Sequence, residues 1–262
     1  LAAEQVQHTL HLRRRRASNM AKTSNRTNVK VKPKLIGGNT GKAMKIVDEY
    51  LIPKSKIVVL GSPRFDYLLN KKKDVYFNEN TKPKKILFAS MYSAISNYDN
   101  SYDVKLIDNF KLMVVKVASK FENIVLYIKP HPLESIDWIT NNNLENVVII
   151  DKQNDIREYI PKVDAFITFG STSTFDALLN DNIVLLANTP NLVWWDDIFL
   201  KYNAAINIHS EHELQKVMDN ILNNSPELNS DSRIKSNQFL NDKIQVGNTS
   251  ASSRIVDFIK MI

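Results

Sequence analysis

Cysteine is absent from the 262-residue chain. That excludes a disulfide scaffold, a zinc–thiolate site and an iron–sulfur cluster, and it fits a reducing compartment. Long apolar runs are missing too. Ile57–Leu60, Val147–Ile150 and Ile183–Ala187 fall far short of the roughly 20 residues that cross a bilayer as a helix. No apolar segment follows Arg13–Arg16 as a secretory signal requires. Neither an internal repeat nor a low-complexity tract is present beyond the polar N-terminus. What remains is an ordinary globular composition, 43% hydrophobic and 24% charged, in a chain long enough to bury a sizeable core.

The net charge of +7 is unevenly distributed. Residues 1–45 carry 11 Lys and Arg against Glu4 alone, whereas the other 217 residues carry 24 basic and 27 acidic side chains. The body of the chain is therefore mildly acidic, and the basicity belongs to its start. A specific nucleic-acid domain spreads basic residues over a folded face, so specific nucleic-acid binding is not expected. Residues 1–40 read as a disordered basic segment, with peripheral contact to anionic headgroups at the inner face of the plasma membrane as a sharper expectation. Met20 is the first methionine, so residues 1–19 read as an extension or as the end of a preceding domain.

Residues 41–262 read as one α/β domain. Apolar strands are expected at Ile57–Leu60, Ile86–Ala89, Ile124–Ile128, Val147–Ile150, Ala165–Phe169, Ile183–Leu186 and Ala205–Ile208. Between and after them come helical patterns, chiefly Gly41–Tyr50, Tyr102–Lys120, Glu134–Asn141, Asp155–Ile160, Thr174–Asn180, Glu211–Asn223, Arg233–Leu240 and Ala251–Ile262. Asp196-Asp197, after Trp194-Trp195, reads as loop. Continuous apolar strands alternating with helices predict a doubly wound, Rossmann-like parallel sheet. Such sheets bind ligands beyond the carboxyl ends of their strands. The stretch Gly37–Ala43 imitates a phosphate loop, but it lacks the spacing and the hydroxyl that the motif needs, and Lys30–Lys34, with Pro33, is not expected to form a preceding strand.

Three polar clusters follow expected strands. In Gly61-Ser-Pro-Arg64-Phe-Asp66, glycine permits the turn and Arg64 offers a planar fork to phosphate or carboxylate; the alternative is an internal Arg64–Asp66 pair. In Lys129-Pro-His131-Pro132, the prolines keep the segment out of helix and sheet. They present His131 and Lys129 at a strand end, where the imidazole can bind phosphate oxygens or act as an acid or base. In Gly170-Ser171-Thr172-Ser173-Thr174, small residues open a helix and expose amides and hydroxyls to an anion; the alternative is a plain helix cap by Ser173 or Thr174.

In combination these motifs resemble the C-terminal, nucleotide-binding half of the GT-B glycosyltransferases, and within them the CDP-glycerol glycerophosphotransferase-like and surface-polysaccharide group. Gly61–Asp66 matches its Gly-x-Pro-Arg-x-Asp turn, Lys129–Pro132 its Lys-x-His-Pro segment and Ser171–Thr174 its Ser/Thr loop. Val246–Arg254 is similar to its Asp-Gly-x-Ala-x-x-Arg stretch, with Val246 replacing the acidic residue. The resemblance implies transfer of a sugar or polyol phosphate from a nucleotide-activated donor, CDP or CMP first. The acceptor would be a capsular, teichoic-acid-like or lipid-linked polysaccharide at the cell envelope, handled from the cytoplasm without a metal or cofactor. It implies that Gly61, Arg64, Asp66, Lys129, His131, Gly170, Ser171, Ser173 and Thr174 bind the donor, with His131 catalytic. It also implies a separate acceptor domain outside these residues, so that this chain alone binds nucleotide but turns over poorly. A more distant likeness is to UDP-N-acetylglucosamine 2-epimerases, for which Glu134 and Asp176 would be the acid/base carboxylates. A degenerate interaction module with the same fold is the non-enzymatic alternative.

Overall fold

A computed structural model describes residues 34–35, 57–69, 83–92, 104–140, 145–187, 196–244 and 249–261. A two-stranded parallel pair joins β1 (Lys34–Leu35) to β2 (Ile57–Val58). After it come a 3-10 turn at Pro63–Phe65 and α1 (Asp66–Leu69). The main sheet is built from β3 (Lys84–Ala89), β4 (Ile124–Lys129), β5 (Val147–Ile149), β6 (Ala165–Thr168), β7 (Ile183–Ala187) and β8 (Ile206–Ile208). Its helices are α2 (Val104–Ala118), α3 (Asp137–Thr140), α4 (Ser173–Leu179), α5 (Asp196–Lys201), α6 (Glu211–Leu222), α7 (Pro226–Ile244) and α8 (Ala251–Met261).

All six strands are parallel, in the spatial order β5-β4-β3-β6-β7-β8. The chain builds outward from β3 to one edge, returns to the other side of β3, and builds outward again. This is the Rossmann-like doubly wound sheet expected from the sequence. Strand pleating sends alternate side chains to opposite faces. Ile86 and Phe88 join one core with Ile107, Phe110 and Val114 of α2 and Leu214 and Met218 of α6. Leu87 joins the other with Phe175 and Leu178 of α4, Phe199 of α5 and Phe239 and Leu240 of α7. Both faces are covered, which is why the strands read as unbroken apolar runs.

Three expectations need correction. Lys34–Leu35, inside the segment 1–40, forms a strand. Pro33 precedes its first residue, a place where a missing amide costs a ladder nothing. Asp196-Asp197 does not lie in a loop but opens α5, whose Phe199 is fully buried against Phe175 and Phe239. Asp155–Ile160 is not one helix: a 3-10 turn at Ile156–Glu158 is followed by another at Ile160–Lys162, the second accommodating Pro161. The expected helix 41–50, the segment 37–43, Trp194, Trp195, Val246 and Gly247 lie outside the described residues.

Phe239 ties α7 to the core that holds Leu87 through ring contacts with Phe175, Phe199 and Tyr202. Phe239→Ala is expected to lower stability by about 3–5 kcal/mol, the usual cost of an aromatic cavity. Urea unfolding followed by circular dichroism measures it.

Candidate functional site

Strand register decides which loops meet. Ala89, the last residue of β3, pairs with Lys129 on one side and with Thr168 on the other. The segments after β3, β4 and β6 therefore leave the sheet side by side, at the point where strand order reverses. That is the crevice in which open parallel sheets take ligands. Ser90–Tyr92, Pro130–Pro132 and Phe169–Ser171 share it.

Beyond β6, Gly170 turns with φ +83, a conformation that suits glycine. Ser171 donates its amide to Thr168 Oγ1 at 3.2 Å, and its hydroxyl lies within hydrogen-bond distance of the Ser173 hydroxyl. The α4 cap is Thr172, and its side chain makes no capping hydrogen bond. The alternative of a plain cap by Ser173 or Thr174 is thus not what forms. Thr174 is fully buried, and its hydroxyl has no hydrogen-bond partner.

Beyond β4, His131 is half-buried, and its ring stacks on that of Tyr92 with centroids 6.0 Å apart. Its Nδ1 accepts the Leu133 amide at 3.2 Å, and its own amide donates to Glu134 Oε2 at 3.1 Å. Burial lowers the imidazole pKa; the Glu134 charge opposes that and the Lys129 charge adds to it. Lys129 departs from expectation. It is buried, and its ammonium donates to the carbonyls of Pro130 at 3.2 Å and Lys152 at 2.9 Å. It braces the turn from within instead of facing outward. Burial lowers its pKa against the pull of Asp151 and Asp155.

The carboxylates considered for acid/base chemistry are both committed inside the protein. Glu134 is 3% exposed and accepts from Lys111 Nζ at 2.7 Å, Ser90 Oγ at 2.8 Å and Trp138 Nε1 at 3.1 Å. Asp176 is fully buried between Arg64 Nη2 and the Tyr67 hydroxyl, each at 2.9 Å. Burial and the Asp176 charge push the Tyr67 phenol well above its usual range.

The Gly61–Asp66 turn does not close on an internal Arg64–Asp66 pair. Arg64 reaches across to Asp176 of α4, and its side chain stays 44% exposed. Phe65 meets Phe175 with ring centroids 6.0 Å apart. Asp66 turns the other way and closes α8: it accepts the amides of Ala251 at 2.7 Å and Ser252 at 2.8 Å, while Ser250 Oγ accepts that of Ser253 at 3.0 Å. The first orphan amides of that helix are thereby satisfied. Arg254 donates back to the carbonyls of Leu60 and Thr249. Gly61 has φ +87, and a side chain there would run into the Arg254 guanidinium. The two distant motifs are thus one latch. Sequence reading passed over Ser90, Tyr92 and Lys111. Ser90 and Tyr92 directly follow a strand, and Lys111 lies four residues from Ile107 and from Val115, in the apolar stripe of α2.

The sequence matches the family described as CDP-Glycerol:Poly(glycerophosphate) glycerophosphotransferase over residues 4–261. The chain belongs to that family. The match begins inside the basic N-terminal segment. No curated protein matches the sequence. Among solved structures, the chain is similar to the UDP-GlcNAc 2-epimerase of Neisseria meningitidis bound to UDP-GlcNAc, at 15% identity and TM-score 0.58, covering 85% of this chain and 60% of that one. It is similar to the wall teichoic acid polymerase TagF at 19% identity and TM-score 0.51, covering 87% and 58%. An S. aureus MnaA–UDP complex gives 15% and 0.56, covering 86% and 58%. At these identities the likeness shows the fold. The chain spans about 60% of the length of the structures it matches first. No helix among the described residues is long and apolar enough to cross a membrane.

Desolvation raises the Asp66 pKa, but the bonds from Ser252 and Ala251 and the Arg254 charge outweigh it, leaving the pKa lowered. A lowered folded-state pKa contributes stability above the unfolded value, near 3.9, that is lost as pH falls through the folded value. Asp66→Ala is therefore expected to cost about 1 kcal/mol at pH 7, as loss of a cap does, and the part of that cost due to the ionised carboxylate is lost as pH falls through the lowered Asp66 value. Chemical denaturation across pH measures both.

Proposed function

We propose that this chain is the donor-binding part of an enzyme that transfers glycerol phosphate, or a related polyol or sugar phosphate, from a cytidine-activated donor to a cell-surface polymer. One observation carries the reading: strand register sets the His131 turn and the Gly170–Thr174 loop side by side at the switch point, within a chain matched by the glycerophosphotransferase family from end to end. The donor phosphates would lie against the Ser171 and Ser173 hydroxyls and the loop amides, with Arg64 at one side and the His131 imidazole at the other. A preorganised set of such donors stabilises charge on a leaving phosphate without a metal or cofactor. An acceptor hydroxyl would attack the phosphorus next to the glycerol, and the bond to CMP would break. The acceptor and its base belong to parts of the enzyme beyond this chain. Arg13–Arg16 and the neighbouring lysines suit attachment to the anionic inner face of the plasma membrane, near a lipid-linked acceptor.

The epimerase reading receives less support. Its two candidate carboxylates, Glu134 and Asp176, are buried and ion-paired with Lys111 and Arg64.

A melting screen with CDP, CMP, UDP and GDP tests the assignment. CDP at a hundred times its Kd is expected to stabilise the chain by about 2.7 kcal/mol. His131→Ala is expected to weaken CDP at least tenfold, about 1.4 kcal/mol. Stabilisation by UDP alone would overturn the cytidine assignment.

A further inference from the structure

The buried Lys111–Glu134 pair lies directly beneath His131, and the proposed function gives it no part. Both side chains are nearly inaccessible, at 2% and 3%. Glu134 gathers four donors from four segments: Lys111 of α2, Ser90 beyond β3, the His131 amide beyond β4, and Trp138 of α3. Its backbone carbonyl takes a further bond from the Lys152 ammonium, and the Lys152 carbonyl takes one from Lys129. The His131 carbonyl accepts the Glu134 amide at 2.9 Å, closing a turn over Pro132 and Leu133. Within that turn the Leu133 amide points at His131 Nδ1.

A backbone amide can only donate. A ring nitrogen that faces one must therefore be the unprotonated nitrogen of a neutral imidazole, and the proton then sits on the other nitrogen. We propose that Glu134 is a positioning residue that fixes His131 as the neutral Nε2–H tautomer, so that His131 meets its ligand as a hydrogen-bond donor and not as a general base. To accept a proton at Nε2, the neutral ring would have to carry its hydrogen on Nδ1, against the Leu133 amide. The groups bearing on the ring agree. Burial and the Lys129 charge both disfavour a positive ring; the Glu134 charge opposes them, and it is already met by Lys111. A neutral Nε2–H suits a phosphate oxygen or a ribose hydroxyl. The role in binding rests on the donor-site reading, whereas the tautomer does not.

Long-range ¹H–¹⁵N correlation spectra of the ¹⁵N-labelled chain at pH 7.5 test this, with His131→Gln identifying the His131 signals. The expected pattern is the neutral Nε2–H form, its Nε2 resonance moving when CDP is added. A neutral Nδ1–H form or an imidazolium would overturn the proposal. An Nε2–H pattern unmoved by CDP would leave the tautomer standing and remove the donor-site reading. Glu134→Gln is expected to turn the single form into a mixture. Because that variant leaves the buried Lys111 ammonium to the exposed Asp108 carboxylate at 3.2 Å, the paired K111M/E134L, which carries no buried charge, is measured beside it. A folded K111M/E134L that keeps the single Nε2–H form would refute the role of Glu134.

Discussion

The pairing of Ala89 with Lys129 on one side and Thr168 on the other constrains everything at the carboxyl end of this sheet. Register in a parallel sheet is set by which apolar side chains face which core, since a slip of one residue inverts both faces. Phe88 meets Phe110 and Phe169 on one face, and Leu87 lies with Phe166 and Leu178 on the other. Two filled cores therefore hold β3 from both sides. The three polar loops inherit their mutual placement from that packing.

Buried charge supplies what packing alone cannot. Lys84 pairs with Asp164 at the start of β3, Lys111 with Glu134, and Arg64 with Asp176. Each pair joins elements far apart in sequence, and each buries at least one member almost completely. Such pairs add little net stability compared with apolar replacements, yet breaking one partner costs about 3–5 kcal/mol. Their physical effect is therefore to penalise wrong arrangements. Arg64–Asp176 holds the Gly61–Asp66 turn against α4, and Lys111–Glu134 holds the Lys129–Pro132 turn against α2. Both polar motifs are moored by a charge in the helix beneath them.

The sheet was legible in the sequence because both of its faces are covered, so its strands appear as plain apolar runs. Most strand boundaries fell within a residue or two; Ile57–Leu60 shortened to Ile57–Val58. Helix α7 was legible only in part. Arg233–Leu240 reads as the helix, yet it runs over Pro226–Ile244, because Pro226 suits a first turn, where no amide bond is lost. The site was legible as positions and not as roles. A rule that looks after strands finds Arg64, His131 and Ser171, but residue type cannot say which way a long side chain turns. Lys129 and Asp66 turned inward, to carbonyls and to a helix end. Lys111 was open to notice, since a lysine in an apolar stripe signals a buried partner, although the partner itself, 23 positions away, carries no local mark.

The motifs that mark this family therefore divide by physical task. The Gly61–Asp66 turn and the Ser250–Arg254 segment are complementary parts of one closure. A glycine without a side chain lets Arg254 pass, an aspartate fills the amide end of α8, and the arginine returns to the carbonyl of Leu60. Arg64, in contrast, leaves that closure and pairs with Asp176 of α4. In the Lys129–Pro132 turn the division is again within a single motif: the lysine braces, the prolines restrict, and the half-buried histidine ring stacks on Tyr92. Within one short motif, neighbouring residues can therefore carry different physical tasks. Chemical reasoning about such a motif has to assign each position separately, from the atoms that it faces.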